Sequence, residues 1–283
     1  MAMSPSSSAQ AAREAVGMRL RELRQEAGLQ GQEVAAACGW HASKASRLEN
    51  GRTPPTPEDI RAWCKAVGAE THAADLIAAS RSADSMYVEW RRREHTGLRA
   101  LQDSYRDLFH RTTLFRAYSS TLVPGLLQTE GYATALLGSI AGFRRIPNDV
   151  EAAVAARLAR SEIIHSPGKR FSLLVEEAAL RHQLGDAEAM AAQLGYLLTA
   201  GALPNVSLGV VPFDAPNRRA WPLETFHVYD DEMVSVELLS ARVTVATPSE
   251  VGLYLRAHAG LADLALYGAA ARARIAAALG ALG

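Results

Sequence analysis

Residues Gly31–Gly51 read GQEVAAACGWHASKASRLENG, and the rest of the chain is best understood outward from them. Val34 and Cys38 are apolar and four residues apart, so they share one face of a first helix. Gly39 follows as a helix stop, the residue type that best tolerates the left-handed backbone of a tight turn. Trp40 is an apolar plug behind it, and Ala45 and Leu48 mark the inner face of a second helix. Ala35 is small where the two helices cross, which permits close approach.

Two short helices joined in this way form a helix-turn-helix, whose second helix enters the major groove of DNA. Charge limits how that would work. The 283 residues carry 30 basic and 30 acidic side chains, which argues against a generic nucleic-acid coat. Residues 1–80 hold nine of each sign, residues 81–112 seven basic against five acidic, and residues 113–283 fourteen against sixteen. Attraction to DNA therefore has to be local, and Lys44, Arg47 and Arg52 against Glu49 supply such a patch.

Working outward, residues 1–13 are Ser- and Ala-rich without apolar period and are expected to be a disordered tail. Val16, Leu20, Leu23 and Ala27 repeat at helical spacing from Glu14 on, and Gly28 ends that helix. After a proline-stiffened loop, Thr56 caps a helix with Pro57 at its first position and Ile60, Trp63, Cys64 and Val67 inward. A fifth helix is expected over Thr71–Ser80, so residues 14–80 form an all-α, five-helix head. Asp84–Thr112 reads as one long linker helix with apolar Trp90, Leu98, Leu101, Tyr105 and Leu108. Its run Arg91–Arg93 is a solvated face or a phosphate contact.

From residue 113 to 283 the pattern is α+β. Strands are expected at Phe115–Ser119, Phe171–Val175 and Val206–Val211, and Thr225–Tyr229 with Met233–Leu238 read as a hairpin. LVPGLLQT at Leu122–Thr129 is a turn leading into a helix through Tyr132, Leu136 and Leu137. Asn148 or Asp149 caps a helix with Val150, Val154 and Leu158 on one face, and Ala187–Ala200 is helical. A long helix opens at Pro248-Ser249, and Ala269–Leu282 forms one more.

Little here suggests chemistry. None of the eight histidines has zinc-ligand spacing with a cysteine, and no H-E-x-x-H, G-x-S-x-G, P-loop or G-x-G-x-x-G occurs. Glu176 and Glu177 are adjacent, and on a strand neighbours point to opposite faces, so they are not a proton-sharing dyad. One of them is expected to be buried against an arginine such as Arg181. His258 lies on the apolar stripe of its helix as a core or interface residue, and Asp230–Glu232 reads as a solvated hairpin tip. The two cysteines, Cys38 and Cys64, sit at apolar helix positions and are expected to be buried thiols in a reducing cytosol. No apolar run approaches the roughly 18 residues of a membrane span, and the N-terminal residues lack signal-peptide character. The chain is thus expected to be a cytoplasmic protein with no enzyme activity, cofactor, metal or membrane contact.

Residues 16–67 resemble the Cro/C1-type (XRE) helix-turn-helix domains. The resemblance rests on Leu20, Leu23, Arg24, Gly28-Leu29, Glu33-Val34, Ala35, Gly39 and Ser46-Arg47-Leu48-Glu49-Asn50-Gly51. Residues 84–270 resemble the antitoxin-like C-terminal domain of unknown function found on actinobacterial XRE regulators, WhiJ-like proteins among them. The motifs are Val123–Thr129, Tyr132-Ala133, Arg157–Arg160, Glu177–Arg181, Gln193-Leu194, and Pro204-Asn205-Val206 with Pro212.

The resemblance implies a transcriptional regulator that binds double-stranded DNA as a homodimer, with residues 113–283 serving dimerisation, a partner or a ligand. It also implies a small partner protein encoded nearby. The alternative is an antitoxin-like protein that sequesters that partner and binds DNA for autoregulation. On this pattern the reading helix starts just after His41. Ala42, Ser43, Lys44 and Arg47 face bases and phosphates, Asn50 and Arg52 contact phosphate, and Gln30 or Gln32 grips the backbone. Arg24 and Glu49 would form a salt bridge between the first and third helices. Ala42 and Gly31 depart from the pattern, standing where relatives carry glutamine. Ala45 is smaller than the usual Ile or Val, a space Trp40 would fill.

Overall fold

The computed structural model describes residues 5–82, 87–89, 97–216, 218 and 220–282. The chain divides into two units, Met1–Tyr87 with Thr244–Val251, and Val88–Val243 with Gly252–Gly283.

The first unit holds five helices among its described residues: α1 (Pro5–Glu26), α2 (Gly31–Ala37), α3 (Ala42–Glu49), α4 (Pro57–Ala66) and α5 (Ala73–Ser82). α1 is already helical at Pro5, where a disordered tail to residue 13 is expected; alanine is the strongest helix former, and the serines fall in the first turn. One core joins the helices: Val16, Leu20 and Leu23 of α1, Val34 and Ala35 of α2, Ala45 and Leu48 of α3, Ile60, Trp63 and Cys64 of α4, and Leu76 of α5. Trp63 is fully buried, and its indole N–H donates to the Leu20 carbonyl at 3.1 Å, so the one polar atom it carries inward is satisfied. Thr56 caps α4 reciprocally, its Oγ1 accepting from the Asp59 N–H at 3.1 Å while Asp59 Oδ2 accepts from the Thr56 N–H at 3.2 Å.

The second unit is built on a mixed sheet. The strands of that sheet are β1 (Tyr87–Glu89), β2 (Leu114–Ser119), β3 (Arg170–Glu176), β4 (Val206–Val211), β5 (Phe226–Tyr229), β6 (Met233–Glu237) and β7 (Ala241–Val245), in the order β1-β7-β6-β5-β2-β3-β4, with β2 to β6 wholly inside the second unit. β2, β3 and β4 run parallel, Phe115 opposite Phe171 and Phe171 opposite Val206. β5 is antiparallel to both β2 and β6. The connections between the parallel strands carry helices α8 (Glu130–Arg144), α9 (Val150–Ser161) and α10 (Ala187–Ala200), as parallel crossovers require. α6 (Leu98–Asp103) and α7 (Arg106–Arg111) precede the sheet, and α11 (Pro248–Ala262) and α12 (Gly268–Gly280) follow it.

Two expectations change here. The long linker helix over 84–112 is not one helix: the described part begins with strand β1 and continues as α6 and α7, while Trp90 and Arg91–Arg93 lie outside the described residues. The break falls at Gly97, whose φ of 100° excludes helical continuation. Asp149, which begins α9, turns its carboxylate onto the first amides of α6, accepting from the Leu98 N–H at 2.8 Å and the Arg99 N–H at 2.9 Å. A Cβ at position 97 would lie 2.3 Å from that carboxylate, so glycine is required for the cap.

The acidic hairpin tip is not simply solvated. Asp230 adopts φ 52° and folds its carboxylate back to accept from the Thr113 and Leu114 N–H groups at 3.1 and 2.8 Å, while Asp231 pairs with Arg116 at 2.8 Å. Both Glu176 and Glu177 are buried and paired. Glu176 ends β3 and meets Arg218 and the Tyr118 hydroxyl; Glu177 opens a 3-10 turn and meets Arg181 at 3.0 Å and Arg274 at 3.4 Å. His258 is 4 % exposed and its Nε2–H donates to the Ser172 carbonyl at 3.3 Å.

Candidate nucleic-acid interface

α3 has two unlike faces. Ala45 and Leu48 are buried, whereas Ala42, Ser43, Ser46 and Arg47 are exposed. His41 is the N-cap: its Nδ1 accepts from the Ser43 N–H at 3.3 Å and lies 2.9 Å from the Ser43 hydroxyl. This holds one of the orphan donors of the first turn and fixes where the helix starts. Arg47 stands one turn after Ser43, with Nη1 3.4 Å from Ser43 Oγ, so guanidinium and hydroxyl sit together on the open face. Arg52 is exposed just beyond the helix, its backbone N–H tied to the Arg47 carbonyl at 2.9 Å.

The remaining residues expected at the interface are placed differently. Lys44 is half-buried, its Nζ donating to Asp59 Oδ1 at 2.6 Å and lying 4.3 Å from the Trp40 ring centre. Its charge is thus paired within the head. Burial raises the Asp59 carboxyl, but the bonds from Lys44 and from the Thr56 backbone outweigh it, and the net pKa falls below the ordinary value. Asn50 serves as C-cap, its Nδ2 donating to the Ser46 carbonyl at 2.7 Å and its Oδ1 accepting from Arg21 at 2.7 Å. Gln30 precedes α2 as its N-cap, with its backbone N–H on Glu33 Oε2 at 2.6 Å, and Gln32 is exposed in the first turn.

What aims α3 is its junction with α1. Arg24 donates to Glu49 through Nε at 2.6 Å and Nη2 at 3.2 Å, and also to the Leu29 carbonyl at 2.9 Å. The side chains of Arg24 and Glu49 are 13 % and 9 % exposed, so the pair is shielded from solvent and from salt. Three contributors escaped the reading of the sequence. Arg21 adds a second arginine to Glu49 at 3.3 Å; its signal is the spacing of three from Arg24 on one helix face. Gly17 lets the helices touch: a Cβ there would lie 2.6 Å from the Leu48 carbonyl oxygen. Asp59, which neutralises Lys44, carries no signal in local sequence. Trp40 packs against Trp63 with ring centres 6.3 Å apart.

Two family descriptions match the chain. Residues 15–77 match a helix-turn-helix domain, which supports a DNA-binding regulator, and residues 102–277 match a domain of unknown function, DUF5753. No curated protein and no solved structure matches it. Among the described residues, no helix is long and apolar enough to cross a membrane. With its matched region spanning more than half of the sequence, the chain belongs to the DUF5753 family, here carried behind a helix-turn-helix head.

Proposed function

We propose that this chain is a sequence-specific transcriptional regulator of the XRE type, that it binds its operator as a homodimer, and that the DUF5753 half responds to a partner or ligand without catalysing a reaction. The observation that carries the reading is the division of α3: Ser43 and Arg47 open to solvent on one face, Ala45 and Leu48 buried on the other. An exposed arginine one turn into a short helix has the reach and the fork geometry to pair with guanine O6 and N7. The homodimer follows from size, since one eight-residue helix covers only part of an operator and two-fold symmetry doubles the contacts.

The sites are unequal. Arg47 is the base reader, Ser43 and Arg52 contact the backbone, and Lys44 contributes structure more than binding. The test is a footprint on the DNA upstream of the chain's own gene, followed by titrations of Arg47→Ala. That variant is expected to lose about 1–3 kcal/mol and to relax preference at one base position. Operator affinity unchanged by Arg47→Ala would overturn the assignment.

A further inference from the structure

A cavity of about 150 Å³ lies wholly within the second unit, between α6, α7, α8, α9, the Val123–Gln128 turn and strands β2 and β5. Leu101, Phe115, Leu136 and Leu137 give it apolar walls. Arg157 and Arg160 reach it from one face of α9. Their hydrogen bonds all go to neutral acceptors. Arg157 donates to Gln102 Oε1 at 3.2 Å and to Gln128 Oε1 at 2.6 Å, and Arg160 donates to the Gln102 carbonyl at 3.1 Å. Neither forms an ion pair among the described residues, and Arg160 Nε is buried without any hydrogen-bond partner.

A third arginine adds to the field. Arg242 is 8 % exposed, donates to Ser235 Oγ at 2.7 Å, and sits 4.7 Å from the Tyr105 ring centre, a ring that Arg160 approaches to 4.9 Å. Against these cations the wall carries a single carboxylate among the described residues, that of the exposed Glu237. Two further arginines line the cavity, Arg144 and Arg116, the latter held by Asp231 at 2.8 Å. Burial, with the like charge of Arg160 beside it, lowers the Arg157 pKa to about 10, so the guanidinium still carries its proton at neutral pH. Stacked aromatic rings offset part of the cost of such a cluster. They do not satisfy an orphaned N–H or two neighbouring charges, which is the state of a site built for an anion.

We propose that this cavity binds a small organic monocarboxylate with a flat apolar body, its carboxylate on Arg157 and Arg160 and its body against Leu136, Leu137 and Phe115. Planar guanidinium forks match a carboxylate in charge and geometry. The volume sets the size, since a cavity of about 150 Å³ holds one benzene-sized ring. A phosphate alone would meet the charge and leave the apolar walls wet.

The test is calorimetric titration of the full chain, without DNA, with benzoate, with its neutral analogue benzyl alcohol, and with inorganic phosphate. Because no DNA is present, the outcome is separate from that of the regulator reading. Benzoate is expected to bind at least about tenfold more tightly than either control, the factor one charge-assisted hydrogen bond supplies. Arg157→Gln, checked for folding by circular dichroism, is expected to abolish that preference while leaving benzyl alcohol unchanged, and Arg160→Lys to retain part of it. The comparison on the unaltered chain decides even if a variant fails to fold. Equal affinity for benzoate and benzyl alcohol, equal affinity for phosphate, or no binding of benzoate at millimolar concentration would each overturn the proposal.

Discussion

Replacing Glu49 by alanine removes a carboxylate that ties α3 to two arginines of α1. Glu49 is 9 % exposed and accepts from Arg24 at 2.6 and 3.2 Å and from Arg21 at 3.3 Å. A hydrogen bond to a charged group contributes about 1.5–3 kcal/mol, and stripping one partner from a buried pair costs about 3–5 kcal/mol. Two features hold the loss to the lower end. Arg24 keeps its bond to the Leu29 carbonyl at 2.9 Å, and Arg21, 40 % exposed, returns to water. The expected cost is about 2–3 kcal/mol. For a domain of this size each kcal/mol moves the midpoint by about 4–8 °C, so the transition of the head should fall by about 10–20 °C. The assay is thermal unfolding of the full chain followed by fluorescence of Trp40 and Trp63, with Trp90 and Trp221 replaced by phenylalanine. A double-mutant cycle with Arg24→Met should return a coupling above about 1 kcal/mol. A loss below about 0.5 kcal/mol, or strict additivity in the cycle, would refute the claim that this pair fixes α3 on α1.

Three further outcomes follow from the same geometry. Gly17→Ala drives a methyl into the Leu48 and Glu49 carbonyl oxygens, 2.6 and 2.7 Å away; it should destabilise the head by about 1–3 kcal/mol in urea titration, outweighing the gain in helix propensity. Asp59→Ala should cost about 1 kcal/mol through the lost α4 cap. It should also strengthen non-specific DNA binding by freeing Lys44, seen as a steeper dependence of affinity on salt; an unchanged slope would mean that Lys44 never approaches phosphate. Burial lowers the His258 pKa to about 4 from the ordinary 6.5. The unfolded chain takes the proton first as the pH drops, so the contribution is intact above pH 6.5 and lost on the way down to 4, about 3 kcal/mol across that window. A plot of urea midpoint against pH should show this slope, and His258→Gln should flatten it.

The head is written in its sequence because its information is local. Apolar residues at helical spacing, glycines at the turns and a threonine before Pro57 each act within four residues, and most of the core they predict is observed; Ala27 instead lies exposed past the end of α1, and Cys38 and Val67 are only partly buried. The second unit is less readable where a short-range feature is answered from afar. The break at Gly97 depends on a carboxylate at Asp149, and the fold of the hairpin tip at Asp230 depends on amides at Thr113 and Leu114. Strand β7, Ala241–Val245, has no clear alternation, with only Ala241, Arg242 and Val245 buried. The same holds at the interface. The spacing of the reading helix predicts which side chains could face DNA, but it carries nothing of Asp59, which neutralises Lys44 from fifteen residues away.

Arginine has opposite meanings in the two units, and the difference lies in what surrounds it. Arg24 and Arg21 converge on a shielded carboxylate, so their charge is consumed in holding one helix against another. Arg157 and Arg160 are set beside each other with glutamine, carbonyl and aromatic neighbours, and one of their N–H groups is left without an acceptor. Removing charge therefore has opposite signs at the two places. Replacing Arg24 leaves the shielded Glu49 with only the longer, more exposed contact from Arg21, and should destabilise the fold. Replacing Arg157 with glutamine, uncharged but still able to hydrogen-bond, relieves repulsion within a cation cluster, so the ligand-free chain should keep or gain stability while anion affinity falls. A stability loss of several kcal/mol for Arg157→Gln without ligand would place that arginine with Arg24, as scaffolding, and leave the cavity without its purpose.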